Sequence, residues 1–209
     1  MCYRVEVKAG IQEIANRFKA QFESIDSFNF DHEINGFAHE AHPVIIDKQP
    51  GIIASNYHWG LIPGWCKDNS IRKNTLNAKV ETLDQKPSFR DVVNNRCLVI
   101  ATGYYEWRWN DEKGKSKQKF VIHSAEDEIF TFAGIYSVWR SPENGETVNT
   151  FSIVTTGANQ KMAYIHNTKK RMPIMLKSRD EQDWLNGTLK PEDVAFPNYN
   201  VELIAFTSD

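Results

Sequence analysis

The chain reads as one mainly β (α+β) domain spanning residues 1–209, with an antiparallel β core and a few flanking helices. Three observations lead there. Stretches rich in β-branched and aromatic residues recur along the chain, each bounded by Gly, Asn, Asp or Pro. Helical periodicity is confined to short pieces. No G-x-G-x-x-G or G-x-x-x-x-G-K-S/T occurs, and strands do not alternate regularly with helices, which argues against a parallel, doubly wound sheet. No repeat, low-complexity tract or linker divides the chain.

In chain order, 11–22 carries Ile11, Ile14, Ala15, Phe18 and Phe22 at helical spacing and predicts an amphipathic helix. Strands are predicted at 44–47, 51–59, 97–107, 119–123, 129–139, 147–155, 172–176 and 201–207. The polar stretch 109–114 reads as a hairpin tip. A short helix is expected within 157–165. Another is expected over 178–187, with Ser178 as N-cap, Glu181 three residues on and Gly187 as the stop.

Lys and Arg number 25 against 27 Asp and Glu, a net charge of −2, so the chain is no general nucleic-acid coat, although a local basic groove fits. The hydrophobic share of 41% suits a globular core. No apolar run approaches the roughly 18–20 residues of a membrane span. No secretory signal opens the chain, and the expected location is cytoplasmic. Cys2, Cys66 and Cys97 form no C-x-x-C pair and read as free thiols. His32, His39 and His42, with Asp31, Glu33 and Glu40, match no familiar zinc spacing, so no metal is expected.

Cys2 follows the initiator methionine. If Met1 is removed, Cys2 carries an α-amine (about 7.7–8.0) and a thiol (about 8.5) two carbons apart, both titrating near neutrality. Such a 1,2-aminothiol turns an aldehyde into an imine and closes it to a thiazolidine. The plainer reading is a small hydrophobe at a strand start. Glu106 lies among aromatics in Tyr104-Tyr105-Glu106-Trp107, where burial would suit it to proton transfer, or it pairs with a cation at a strand edge. His166 is a candidate acid–base group or simply a hydrogen-bonded histidine at a helix end. Asn77, read without context, is a turn or cap residue. Trp59 is expected in the core. Trp65, beyond Gly60, Pro63 and Gly64, is open as a plate for stacking a base. Lys67, Arg72, Lys73, Lys79, Lys86 and Arg90 cluster ahead of the Cys97 strand, and Lys161, Lys169, Lys170 and Arg171 flank His166.

Together these segments resemble the SOS response-associated peptidase (SRAP) family, whose members cross-link to abasic sites in single-stranded DNA. The ordered set comprises Met1-Cys2-x-Arg4, Trp59-Gly60 through Pro63-Gly64-Trp65, Asn77-Ala78-Lys79 with Glu81-Thr82, Lys86 to Arg90, Gly103-Tyr104-Tyr105-Glu106-Trp107, Phe132-Ala133-Gly134, and Ile165-His166-Asn167 with Arg171-Met172-Pro173. The resemblance implies a single mainly β domain with a positive DNA channel. It implies catalytic roles for Cys2, Asn77, Glu106 and His166, and DNA contacts from Arg4, Trp65 and Lys79; Lys73 and Arg171, from the two basic clusters, are expected to join them. No cofactor is implied. The expected partner is single-stranded DNA containing abasic sites, bound by a monomer that becomes nucleoid-associated on DNA.

The chain departs from the family pattern in four places. Cys66 stands where some relatives have a second tryptophan. Lys79 replaces the common arginine and loses its bidentate geometry. The stretch 37–43 differs from the usual Y-N-x-x-P. Thr168, Lys169 and Lys170 are inserted before Arg171, which would shift His166 or extend the basic rim. Two rival readings stay open: a cysteine peptidase acting on itself or other proteins, and a non-covalent reader of single-stranded or modified DNA.

Overall fold

The computed structural model describes residues 2–24 and 33–208. Its strands are β1 (Arg4–Glu6), β2 (Gln21–Phe22), β3 (Glu33–Asn35), β4 (Ala41–Ile46), β5 (Ile52–Trp59), β6 (Asn77–Lys79), β7 (Arg96–Ala101), β8 (Gly103–Trp109), β9 (Lys117–Ser124), β10 (Phe130–Arg140), β11 (Thr147–Gly157), β12 (Arg171–Pro173), β13 (Met175–Leu176) and β14 (Leu203–Ser208). The helices are α1 (Ile11–Phe18), α2 (Gln160–Ile165) and α3 (Glu181–Leu185). Among the described residues no helix is long and apolar enough to cross a membrane.

Two sheets organise the chain. One is open and runs β14-β9-β8-β1-β3. In the other, β4 pairs with β5 and β7, β10 with β7 and β11, and β11 returns to β5. Those five strands therefore close a barrel, which removes their free edges. The closing pair, β5 with β11, is parallel; the others are antiparallel. The barrel core holds Trp59 stacked on Phe151, with ring centroids 6.1 Å apart, so the tryptophan expected in the core is there.

The expected strand 97–107 is two strands. Thr102 interrupts it: its N–H donates to Glu6 O at 2.9 Å and its hydroxyl accepts from Lys8 N at 2.9 Å. Its carbonyl lies 2.8 Å from His123 Nδ1. Pinned this way, the backbone passes from barrel to open sheet, which is why one apolar run serves two layers. The stretch 172–176 likewise divides, into β12 on β11 and β13 on β10.

The helix expected over 11–22 stops at Phe18. Lys19 takes a left-handed conformation (φ 51°), and Gln21 N donates to Gly51 O at 3.0 Å, drawing β2 alongside β5. Tertiary pairing overrides the helical period there. The predicted capping box at Ser178 and Glu181 does not form. Residues 178–180 make a 3-10 turn, and the Glu181 carboxylate goes to Arg17 at 3.0 Å and Thr131 Oγ1 at 2.9 Å. Ser178 donates instead to Asp127 at 2.5 Å. Gly187, with φ 82°, does end that segment. β1, β3 and β6 were not among the predicted strands. At three residues each, they are too short to carry a pattern.

Candidate active site

Cys2 is fully buried just ahead of β1. Its thiol donates to Arg4 O at 3.7 Å. Its carbonyl accepts a hydrogen bond from Asn77 Nδ2 at 2.8 Å, across 75 positions of sequence. Asn77 is therefore no turn or cap residue. It begins β6, which lies parallel to β11 with Asn77 opposite Ile153. The preceding carbonyl, of Leu76, accepts from Trp59 Nε1 at 2.8 Å and from Ile153 N at 3.1 Å. The core tryptophan thus fixes the residue that clasps Cys2. Asn77 Oδ1 is buried and has no hydrogen-bond partner among the described residues. An amide with one hand on the Cys2 carbonyl and one hand unused sits well to accept from a Cys2 amine.

Glu106 lies on β8, buried, on the same inward side as Tyr104. Its negative charge reaches several neighbours. Burial pushes the Cys2 thiol far up, and Glu106 pushes it further. Tyr104 rises for the same first reason, helped by Cys2 and Glu106. Burial lowers His166, and Glu106 opposes that without cancelling it. Cys2, Glu106 and His166 therefore share one electrostatic environment, although they come from the chain start, a mid-chain strand and the end of α2.

His166 caps α2 at its C-terminus and is buried. Its Nδ1 lies 2.9 Å from Arg171 O. The Arg171 backbone N–H also donates to Nδ1 at 3.2 Å, so one backbone residue offers this ring nitrogen both an acceptor and a donor and holds the imidazole in place. Asn167, next in sequence, bonds Trp109 twice: Nδ2 donates to its carbonyl at 2.9 Å and Oδ1 accepts from its N–H at 3.0 Å. Residues 168–170 are exposed, and Lys170 N closes the loop on His166 O at 2.9 Å.

The expected DNA-contacting residues surround this centre unevenly. Trp65 is 55% exposed and donates from Nε1 to Pro87 O at 3.1 Å. With Lys73 it lines an open recess of about 510 Å³. Lys73 and Lys79 are exposed and make no ion pair among the described residues, with Lys79 opposite Thr155 on β11. Arg171 and Arg4 are already engaged. The Arg171 guanidinium meets Glu81, one contact being 2.9 Å, and donates to Thr155 O at 2.7 Å. Although burial favours the neutral acid, Arg171 holds the Glu81 carboxyl below its ordinary range. Arg4 pairs with Glu33 and lies 5.8 Å from the Trp107 ring centroid, while Lys119 meets the same carboxylate at 3.0 Å.

Sequence reading missed Glu81, Glu33 and Asn167 as partners of the site. Glu81 and Asn167 sit inside the quoted motifs, which was the available signal; Glu33 had none. Cys66 and Cys97 are buried packing thiols, and both are pushed up in pKa by burial. Of the histidines weighed as ligands, His39 Nδ1 lies 2.8 Å from Trp59 O and His42 Nε2 lies 2.6 Å from Ile100 O. His32 and Asp31 fall outside the described residues.

Residues 1–202 match the family model described as SOS response associated peptidase (SRAP). The abasic site processing protein YoqW of Bacillus subtilis (strain 168) is 37% identical over 172 residues, covering 78% of this chain and 74% of its own. The abasic site processing protein HMCES of Gallus gallus is 30% identical over 158 residues, covering 64% of this chain and 45% of its own. A crystal structure of a protein from Bacteroides thetaiotaomicron superposes with a TM-score of 0.87 at 33% identity, covering 99% of this chain and 91% of the other. A buried second-position cysteine clasped by the asparagine of one motif, with the glutamate of a second acting on both it and the histidine of a third, agrees with that match: the chain belongs to the SRAP family.

Proposed function

We propose that this protein captures abasic sites in single-stranded DNA as a covalent thiazolidine on Cys2, once Met1 has been removed. The observation that carries the reading is the Asn77–Cys2 clasp, in a chain similar to proteins named for abasic site processing. The aldehyde of the ring-opened sugar meets the Cys2 amine, whose nitrogen attacks C1′. Loss of one water gives the imine. The Cys2 sulfur then adds to C1′, and the thiol proton ends on the nitrogen. The sum is aldehyde plus aminothiol to thiazolidine plus water, with no redox change.

Each residue then has a task. Asn77 holds Cys2 by its carbonyl, and its free Oδ1 accepts from the new amine. Glu106 moves protons as water leaves and as the thiol closes. His166, seated by Nδ1 against the Arg171 backbone, donates to the sugar's hydroxyl oxygen and assists ring opening. Trp65 stacks a flanking base, and Lys73, Lys79, Arg4 and Arg171 meet phosphates. For Arg171 and Arg4 this means sharing the guanidinium with Glu81 and Glu33. All four central residues come from one chain, which supports action as a monomer. A DNA substrate supports a cytoplasmic, nucleoid-associated location.

A general cysteine peptidase would pair a thiolate with an imidazolium. Burial works against both here, raising the thiol and lowering the histidine. Self-processing at Met1 stays within the proposal, with Glu106 as its proton carrier.

The test is direct. Purified protein is mixed with abasic and intact oligonucleotides, denatured and run on a gel. A shifted band with the abasic strand alone, lost in Cys2→Ala, is expected. Adduct formation by Cys2→Ala overturns the mechanism. Intact mass should show loss of Met1, and retention of Met1 in Glu106→Ala would assign its removal to the protein itself.

A further inference from the structure

We propose that Asn167 is a positioning residue for this reaction, its side-chain amide locking the His166 loop onto the strand that carries Glu106. The inference rests on the function proposed above. It starts from a hydrogen-bond pattern that the mechanism leaves unused. Asn167 Nδ2 donates to Trp109 O at 2.9 Å, and Oδ1 accepts from Trp109 N at 3.0 Å. A primary amide that both donates to and accepts from one backbone residue imitates a rung between antiparallel strands. Trp109 ends β8, and Glu106 lies on the same strand three positions earlier. Asn167 directly follows His166, so one amide spans the two groups.

The surrounding chain makes this tether matter. Past Asn167 come Thr168, Lys169 and Lys170, all exposed. Lys170 has φ 48°, closes on His166 O through its N–H at 2.9 Å, and accepts from Ala158 N at 3.0 Å. This arch brings the Arg171 carbonyl to His166 Nδ1 at 2.9 Å. A second tether lies earlier, where Arg108 donates to Tyr164 O and sits 3.9 Å from that ring's centroid. It holds the end of α2, on the near side of His166. On the far side, Asn167 ties the arch to β8. Freed there, the imidazole would keep its Arg171 partner while the whole arch shifted against Glu106. Displacements of about 1 Å in such a site can cost up to about 10²-fold in rate.

The test is a double-mutant cycle on the cross-linking rate at saturating abasic oligonucleotide, alongside non-covalent binding of an intact oligonucleotide. Asn167→Ala is expected to slow cross-linking about tenfold while binding changes by less than about twofold. In a His166→Ala background the same substitution should make no further difference, because its effect runs through His166. An equal slowing in both backgrounds overturns the proposal, as does an unchanged rate in the single variant. Should Asn167→Ala fail to fold, Asn167→Asp keeps the acceptor half of the rung and carries the same cycle. If the wild-type protein forms no adduct at all, the functional reading itself falls. An adduct that forms equally fast with and without Asn167 sinks only the positioning role.

Discussion

Replacing Asn77 by Asp tests the clasp on Cys2 in a way that stability can report. The side chain keeps its shape, but the donor that meets the Cys2 carbonyl at 2.8 Å becomes an oxygen. When ionised, that oxygen faces another acceptor at a position 8% exposed. When protonated, it can donate and restore the bond. The fold therefore favours the neutral acid and raises its pKa above the ordinary value of about 3.9. The sign follows: between those two values the folded state holds a proton the unfolded state has lost, so stability falls as pH rises. A rise of about 2 units, modest for a buried carboxyl, costs roughly 0.9 kcal/mol at pH 4.5 and roughly 2.7 kcal/mol at pH 7.5. Asn77→Ala breaks the same bond without adding charge. It leaves the Cys2 carbonyl unpaired but removes a buried Oδ1 that had no partner, so about 1 kcal/mol is expected, independent of pH. Urea unfolding of wild type, Asn77→Ala and Asn77→Asp at the two pH values reads these numbers. If Asn77→Asp tracks wild type across that range, the clasp does not exist as described.

Three further outcomes follow from the same geometry. Trp65→Ala should weaken single-stranded DNA binding about tenfold, the loss of one stacked base, while unfolding free energy stays within about 0.5 kcal/mol of wild type; unchanged binding by fluorescence anisotropy would remove Trp65 from the DNA path. Gly134→Ala would place a Cβ 2.6 Å from Cys97 Sγ and 2.8 Å from Val99 Cγ2. Overpacking of that kind costs about 1–3 kcal/mol, and thermal unfolding should show part of the loss recovered when Cys97→Ala is added. Glu33→Gln removes the carboxylate shared by Arg4 and Lys119, which, against burial, hold it below its ordinary range. Its contribution is complete above the unfolded value near 4.3 and disappears as pH falls through the lower folded value. The variant should thus lose about 1 kcal/mol at pH 7 and converge on wild type in acid; an equal gap at every pH would assign the loss to packing.

The electrostatics around Cys2 bear on the order of chemical steps. A buried thiol held far above its ordinary range is a poor first nucleophile. In the proposed reaction the amine attacks first, and the thiol needs activation only at ring closure. Glu106 disfavours the free thiolate; in the proposed reaction it takes the thiol proton as the new C–S bond forms. Burial lowers His166, so its ring stays neutral near pH 7.

Much of the fold was legible because long strands carry long patterns. β10 and β11, eleven residues each, lie within a residue or two of their predicted bounds. The misjudged pieces share a cause. Phe22 fits a helical period, yet the open edge of β5 supplied a better partner for its backbone. Glu181 has the spacing of a capping box, yet Arg17, far off in sequence, offered it a charge. In both places a distant group outbid a local preference, and no window of neighbours contains that information.

The site divides along the same line. Sequence alone determined which residues could do the chemistry, because an aminothiol, a carboxylate, an imidazole and an amide have fixed inventories of protons and lone pairs wherever they lie. It also determined the family, through ordered motifs that survive changes elsewhere in the chain. Only the tertiary structure decided what each group is free to do. It gave Asn77 to the Cys2 carbonyl rather than to a turn, seated the His166 ring against the Arg171 backbone, and set Glu81 and Glu33 against two cations expected to await phosphates. Hydrogen bonds and ion pairs act over a few ångströms, and the chain brings residues 75 and 90 positions apart within that range only by folding.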